Sequence, residues 1–276
     1  MQARSFELVP AQEVTMDRNI IALLEPRLGT DLVIKPAAGG YGGSTTAIVE
    51  NSQGGRVFVK ATPNKAGGNR KAARREAAIG PHLEGVAPKF LFHVEDHGWL
   101  VTVVEALDAR PTDLAPGSPD LGPAISAVDR IYMVGLPAVA EGWDDTRWDQ
   151  FADQQDLPYL RGDALTHADM HGRNILLDGG GRGWVVDWEW PTRASAALMP
   201  TMLGVQLVSA GHTPSSASGW VSRLKAWDVA SVRARQVCSA VNARKYAEIA
   251  RSHPEEGWLQ ELSEAATAWS EHLGGR

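Results

Sequence analysis

Near residue 105 the apolar residues change the way they repeat, and that change limits the fold more than any other feature. Before it, short β-branched runs are broken by glycine. Residues 45–49 and 56–61 read as two strands joined by a turn at NSQGG, and KFLFHVED with WLVTVVEAL reads as a second hairpin turning at His97-Gly98. Between the hairpins, GNRKAARREAAIG (68–80) is rich in helix formers and closed by glycine. DARPTDLAPGSPDLGP then reads as a linker, because it is dense in turn residues. Beyond it, residues 121–134, 215–226, 229–252 and 254–272 read as helices, with Pro214 and Pro254 where a first helical turn tolerates proline. The expectation is an α+β chain of two lobes, residues 1–105 β-rich and residues 106–276 larger and mainly helical. A chain of 276 residues is long enough to give both a core.

Charge and cysteine content exclude several classes. The formal net charge is -6, which does not suggest nucleic acid as a partner, since such binders usually carry a concentrated basic surface. Cys238 is the single cysteine, which rules out an intramolecular disulfide and a cysteine-rich zinc site. The N-terminal MQARSFELVPAQEV lacks the apolar core of a signal peptide. The longest apolar stretch, 194–210, is interrupted by Pro200 and is too short to span a bilayer. The reading is a cytoplasmic protein without a membrane partner, monomeric or dimeric. The 10 tryptophans either fill cores or line a ligand pocket.

Chemistry concentrates in LTHADMHGRNILL (165–177). His167, Asp169 and Asn174 stand as H-x-D-x-x-x-x-N, the spacing of a kinase catalytic loop, in which the aspartate accepts a hydroxyl proton and the asparagine holds a metal. WVVDWEW reads as an apolar strand ending at Asp187, where a second ligand to Mg²⁺ would stand, since that ion takes oxygen donors. AAGGYGGST places Gly39, Gly40, Gly42, Gly43 and the Ser44 hydroxyl in a loop whose amides can approach phosphates. RVFVKA puts Lys60 late in a strand, and RREAA puts Glu76 on the following helix, where a kinase keeps the glutamate that holds its lysine. Each piece has a plainer reading: a turn, an edge lysine, a solvated glutamate, a capped loop. Their order along one chain is what phosphoryl transfer from a nucleotide requires.

These residues resemble those of the aminoglycoside phosphotransferase / choline kinase family, which has a protein-kinase-like fold. The family's catalytic loop resembles H-G-D-L-H-x-x-N, and here it is His167-Ala168-Asp169-Met170-His171-Gly172-Arg173-Asn174. Its metal-binding I-D-W-E or I-D-F-E is Val186-Asp187-Trp188-Glu189 here. The resemblance runs from the glycine loop to the terminal helices and is strongest over 165–190. Three departures stand out. Alanine replaces the glycine after His167. GRN replaces P-x-N, so that Arg173 either adds a cation near phosphates or faces solvent. PTRASAALMPTML lacks the acids that usually follow the metal-binding motif. The resemblance implies ATP or GTP with Mg²⁺ between two lobes and the nucleobase against the backbone of Val104, Glu105 and Ala106. It implies phosphates held by Gly40, Gly42, Gly43, Ser44 and Lys60, with Glu76 fixing Lys60. Asn174 and Asp187 would bind the metal, Asp169 would be the base, and His167 would be structural.

The acceptor is a hydroxyl-bearing small molecule on this reading. In the family, the segment before the catalytic loop and the terminal helices form the substrate pocket. Here EGWDDTRWDQFADQQD carries Glu141, Asp144, Asp145, Asp149, Asp153 and Asp156 against Arg147. An acidic wall of Asp144, Asp145, Asp149 and Glu189 suits a polycationic aminoglycoside or a cationic peptide antibiotic, with Trp143 and Trp148 stacking on it. The plainer reading is a solvated acidic helix face with tryptophans in the core. Glu189 is either an aid to a second metal or a solvated residue. The expected function is phosphorylation of an antibiotic. The alternatives are a metabolic kinase for choline, an amino alcohol or a sugar, and an inactive nucleotide-binding module, against which Lys60, Asp169, Asn174 and Asp187 all argue.

Overall fold

The computed structural model describes residues 16–37, 43–96, 98–144 and 146–274. They form two compact units, one of residues up to 74 with 91–106, the other of residues 75–90 with 107 onwards. The second unit thus takes residues 75–90, which the sequence placed with the first. Ile79, Leu83, Val86 and Ala87 explain the difference: all four are buried in the second unit's core.

The first unit is a five-stranded sheet in the order β1-β2-β3-β5-β4, made of β1 (Leu32–Pro36), β2 (Thr45–Asn51), β3 (Arg56–Pro63), β4 (Phe90–Asp96) and β5 (Trp99–Glu105). Alternation decides its faces. Ala47 and Val49 of β2, Val57, Val59 and Ala61 of β3, and Val101 and Val103 of β5 point to one side. There they are covered by Ile20, Leu23 and Leu24 of α1 (Arg18–Leu28). Helix α1 is absent from the sequence reading, although its apolar residues fall at helical spacing and the Asp17 carboxylate caps it, accepting from the Asn19 N–H at 2.8 Å. The NSQGG turn is held by Asn51, whose Oδ1 accepts from the N–H groups of Gln53 and Gly55 at 3.1 and 2.7 Å.

The second unit is built around α5 (Leu198–Ser209), an apolar helix buried on almost every side. Against it pack α8 (Val232–Ser252), α9 (Gly257–His272) and the shorter α6 (Pro214–Val221), while α3 (Leu121–Val134) packs on the small strands and on α7 (Lys225–Val229), and α4 (Leu157–Leu160) packs on α8. Helix α3 occupies the residues expected of it. The stretch expected as one helix over 215–226 is instead α6 and α7, and Pro254 precedes α9 rather than opening it. Two small sheets carry the loops described below: β6-β8-β9, from β6 (Ala109–Pro111), β8 (Ile175–Asp178) and β9 (Gly183–Val185), and β10-β7, from β7 (Ala164–His167) and β10 (Pro191–Ala194). Cys238 is fully buried on α8. Its Sγ lies 3.8 Å from the Tyr159 carbonyl, and burial pushes the thiol up to about 12. Among the described residues no helix is long and apolar enough to cross a membrane.

Two interactions set the tolerance of this unit. A Cβ at Gly204 of α5 would lie 2.5 Å from the fully buried Trp269 ring. Glycine to alanine inside a helix ordinarily gains about 1 kcal/mol, whereas overpacking a rigid core costs about 1–3 kcal/mol. The clash wins, and Gly204→Ala is expected to lower the urea midpoint without changing the slope of the transition. Asp120, buried before α3, accepts from Arg110 at 2.6 and 2.8 Å and from the Asp113 N–H at 2.9 Å. The Arg110 guanidinium holds its carboxyl at about 2, below the ordinary 3.8. Because the unfolded chain takes up the proton first as the pH falls, this pair's contribution is complete above about pH 4 and is lost towards about pH 2. Asp120→Asn should therefore melt earlier than the native chain at neutral pH, and the two should converge on acidification across that window. Parallel melting curves across it would contradict this account.

Candidate active site

All four residues of β7 are buried, and β10 pairs with it so that Pro191 stands opposite His167. The chain leaves β7 through residues 168–171, makes a 3-10 turn at Gly172–Asn174 and enters β8. His167 is 1% exposed. Its Nδ1 accepts from the Asp169 N–H at 3.4 Å, so its proton must be on Nε2, which donates to the Val186 carbonyl at 2.9 Å. Burial lowers its pKa and keeps the ring neutral, as this pair of bonds requires. One imidazole therefore ties the loop of Asp169 to the residue before Asp187.

The strand expected to run to Asp187 stops at Val185. Val186 turns its N–H to the Asn174 carbonyl at 2.9 Å and its own carbonyl to His167. Asp187 follows with φ 62°, the one non-glycine residue with positive φ among those described. Aspartate tolerates this conformation better than most side chains. Trp188 closes the turn from the other side: its indole N–H donates to the Val185 carbonyl at 3.0 Å, and its ring meets His167 edge-on at 4.8 Å.

Asp169 is an ionised acceptor in this setting. The imidazole of His171, 3.5 Å from Oδ2, holds its carboxyl below the usual carboxylate range against the opposing effect of desolvation, and Asn174 adds to the lowering. Asn174 Nδ2 donates to the Asp169 carbonyl at 2.8 Å and reaches Oδ2 at 3.3 Å. Its amide oxygen is thereby turned away from Asp169. Arg173 is exposed. Tyr246 of α8, which the sequence reading passed over, belongs to the same neighbourhood. Burial first, and the charge of Asp169 second, push its hydroxyl up to about 12.

Glu76, Asp187 and Glu189 each bring a carboxylate oxygen to within 4.8 Å of the other two. An ionised pair at that distance repels by about 1 kcal/mol in bulk water and about 3–4 kcal/mol near a protein surface. All-oxygen donors gathered this closely fit a hard divalent cation. Glu76, expected as the partner of Lys60, is thus also a candidate metal ligand.

In the first unit, Lys60 lies on β3 in register with Thr46 and Thr102, on the face opposite the Val57, Val59 and Ala61 core. The Ser44 hydroxyl is 2.9 Å from that of Thr62, and Gly43 has φ 86°. Val104 and Glu105 pair with Phe58 and Val57, and the Ala106 N–H reaches the Arg56 carbonyl at 3.4 Å. Gly39, Gly40, Gly42, His97 and Asp145 lie outside the described residues.

Among its described residues the acidic segment is not a helix face: it holds a 3-10 turn at Asp149–Phe151 and packs tryptophan into the core. Trp148 is fully buried, with its indole N–H on Asn242 at 3.3 Å. Arg147 lies over the rings of Trp148 and Trp190 at 5.0 and 5.1 Å, and Lys245 lies over Trp148 at 4.4 Å. Several of the acids carry arginines. Asp149 binds Arg161, Asp156 binds Arg233 at 2.6 Å, and Asp144 stands 3.8 Å from Arg193, which also grips Asp163 at 2.5 Å.

The role of His167 is open to a direct check. Replacing it with phenylalanine keeps the ring but strands a buried carbonyl and the Asp169 N–H. Stability should fall by about 1–3 kcal/mol, the cost of an unsatisfied buried polar group, as read by urea denaturation. A variant as stable as the native chain would remove His167 from this scheme.

No protein-family model matches the sequence, and no curated protein is similar to it at the level of sequence. Solved structures share the fold. An aminoglycoside phosphotransferase from Alicyclobacillus acidocaldarius superimposes with a TM-score of 0.60 at 15% identity, covering 87% of this chain and 91% of that one. A choline kinase from Streptococcus pneumoniae gives 0.60 at 11% identity, covering 92% and 98%. An ethanolamine kinase from Plasmodium vivax gives 0.60 at 9%, covering 93% and 85%. The chain has the β-rich and helical halves of this protein-kinase-like fold.

Proposed function

We propose that this protein is a small-molecule kinase that moves the γ-phosphoryl group of ATP or GTP to a hydroxyl of its acceptor. One observation carries the reading: an ionised aspartate, Asp169, is joined through a single buried imidazole to the turn that presents Asp187. A proton acceptor and a cation ligand held in fixed relation are what phosphoryl transfer needs, because its catalysis is mainly positioning and charge stabilisation.

In the proposed reaction Asp169 orients the acceptor O–H and takes its proton as the new O–P bond forms. The bond from the γ-phosphorus to the bridging oxygen breaks, and the nucleoside diphosphate leaves. Asn174 and Asp187 would hold Mg²⁺, with Glu76 and Glu189 beside them. The ion, when bound, offsets charge on the phosphates. Ser44 and Lys60, with Gly40, Gly42 and Gly43, are the proposed phosphate contacts. The backbone of Val104, Glu105 and Ala106 is the proposed nucleobase contact.

For the acceptor we propose an aminoglycoside or another antibiotic. The support is the acidic stretch 141–156, in which Asp144 keeps a half-exposed side chain while Asp149 is held by Arg161. A metabolic acceptor such as choline, an amino alcohol or a sugar is the second reading. It is favoured by the choline and ethanolamine kinases that share the fold equally well.

The test is nucleotide-dependent phosphate transfer to a panel spanning these acceptors. Asp169→Ala should slow transfer about 10²–10⁴-fold, the range for a positioned base. Undiminished transfer in that variant would end the proposal. Asp187→Asn keeps a residue that accepts positive φ, so it should remain folded, as read by a cooperative melting curve. It should nevertheless need far more Mg²⁺ for the same rate.

A further inference from the structure

On the second unit, His82, Glu84, Gly85, Val86, Arg130, Met133, Val134 and Arg182 line an open cleft of about 350 Å³. Two cations meet there on one oxygen. Arg130 Nε and Arg182 Nη2 each donate to the Gly85 carbonyl at 3.0 Å, which brings the two nitrogens within about 6 Å of each other. Like charges so placed disfavour one another.

Among the described residues neither guanidinium has an ion-pair partner. Arg130 spends its other donors on Ser126 and on the Gly183 carbonyl. The Arg182 guanidinium has only the Gly85 bond, and its central carbon stands over the Trp184 ring, 4.3 Å from the centroid. The nearby Asp178 carboxylate does not pair with it. That group already accepts the N–H groups of Gly180 and Arg182 and the Trp184 indole N–H, each at 2.9 Å. Glu84 is the one carboxylate in the lining, and it is exposed. Arg130 is the tether, with its pKa lowered by burial and by Arg182. Arg182 is the fork still offering N–H groups, seated over a tryptophan. Beside them Val86, Val134 and the 58%-exposed Met133 form an apolar wall.

We propose that this cleft is an anion site for a phosphate-bearing small molecule, with Arg182 and Arg130 binding the phosphate and the apolar wall taking its organic part. A guanidinium fork matches phosphate oxygens two at a time. The bound anion would also relieve the repulsion between the arginines. The site is separate from Asp169 and does not depend on the function proposed above.

The Trp184 indole N–H reports on the site, because its ring underlies Arg182. In the full chain, titration with inorganic phosphate at constant ionic strength should shift the Trp184 indole resonance, assigned with Trp184→Phe, and reach saturation. Phenyl phosphate should bind more tightly than inorganic phosphate. Arg182→Gln should weaken binding about tenfold, the loss of one charge-assisted contact. Glu84→Gln should strengthen it, and neither change disturbs the tether. Absence of a saturable shift, an equal shift with chloride, or an undiminished response in Arg182→Gln would overturn the site. Phenyl phosphate binding no better than inorganic phosphate would overturn the role of the apolar wall.

Discussion

The relation between the Asp169 loop and the turn at Asp187 depends on one neutral imidazole. His167 can accept from Asp169 and donate to Val186 only while it carries a single ring proton. Burial enforces that state by penalising the charged ring. Two loops that are distant in sequence are thereby registered by a group with no freedom to change partners. Everything that follows, from the orientation of the Asn174 amide to the turn at Asp187, is built outward from this bridge.

The neighbouring strain makes sense in that light. A left-handed residue at Asp187 costs about 1–2 kcal/mol, yet the residues on both sides are held. Val186 is bonded through its N–H and its carbonyl, and Trp188 through its indole. The conformation is over-determined by its neighbours, a common arrangement where backbone strain serves a site. Elsewhere in the same unit several carboxylates are neutralised locally. Asp149, Asp156 and Asp163 each hold an arginine.

How much of this could be read from the chain depended on the kind of signal. The polar loop was legible because its chemistry needs certain residue types at set spacing, and α3 was legible because its apolar stripe has a helical period. Helix α5 was visible only as an apolar run, since a helix buried all round has no polar face to give it a period. The end of the 184–190 strand at Val185 is set by a carbonyl's bond to a histidine 19 residues earlier, which no local pattern encodes. Tyr246 was invisible for the same reason: its relation to Asp169 is made by packing across a long stretch of chain. The acidic segment misled because composition does not reveal that its tryptophans are needed for packing and several of its acids for arginines.

Sealing the sole cysteine inside the helical half has a practical meaning. A thiol must ionise to react, and one pushed up to about 12 with no exposure stays protonated near neutral pH. Cys238 is therefore expected to be silent towards maleimides and iodoacetamide while the chain is folded. A cysteine introduced on the surface would be the only accessible thiol in the molecule. Spectroscopic labels could then be attached one at a time, with Cys238 left in the core where it packs.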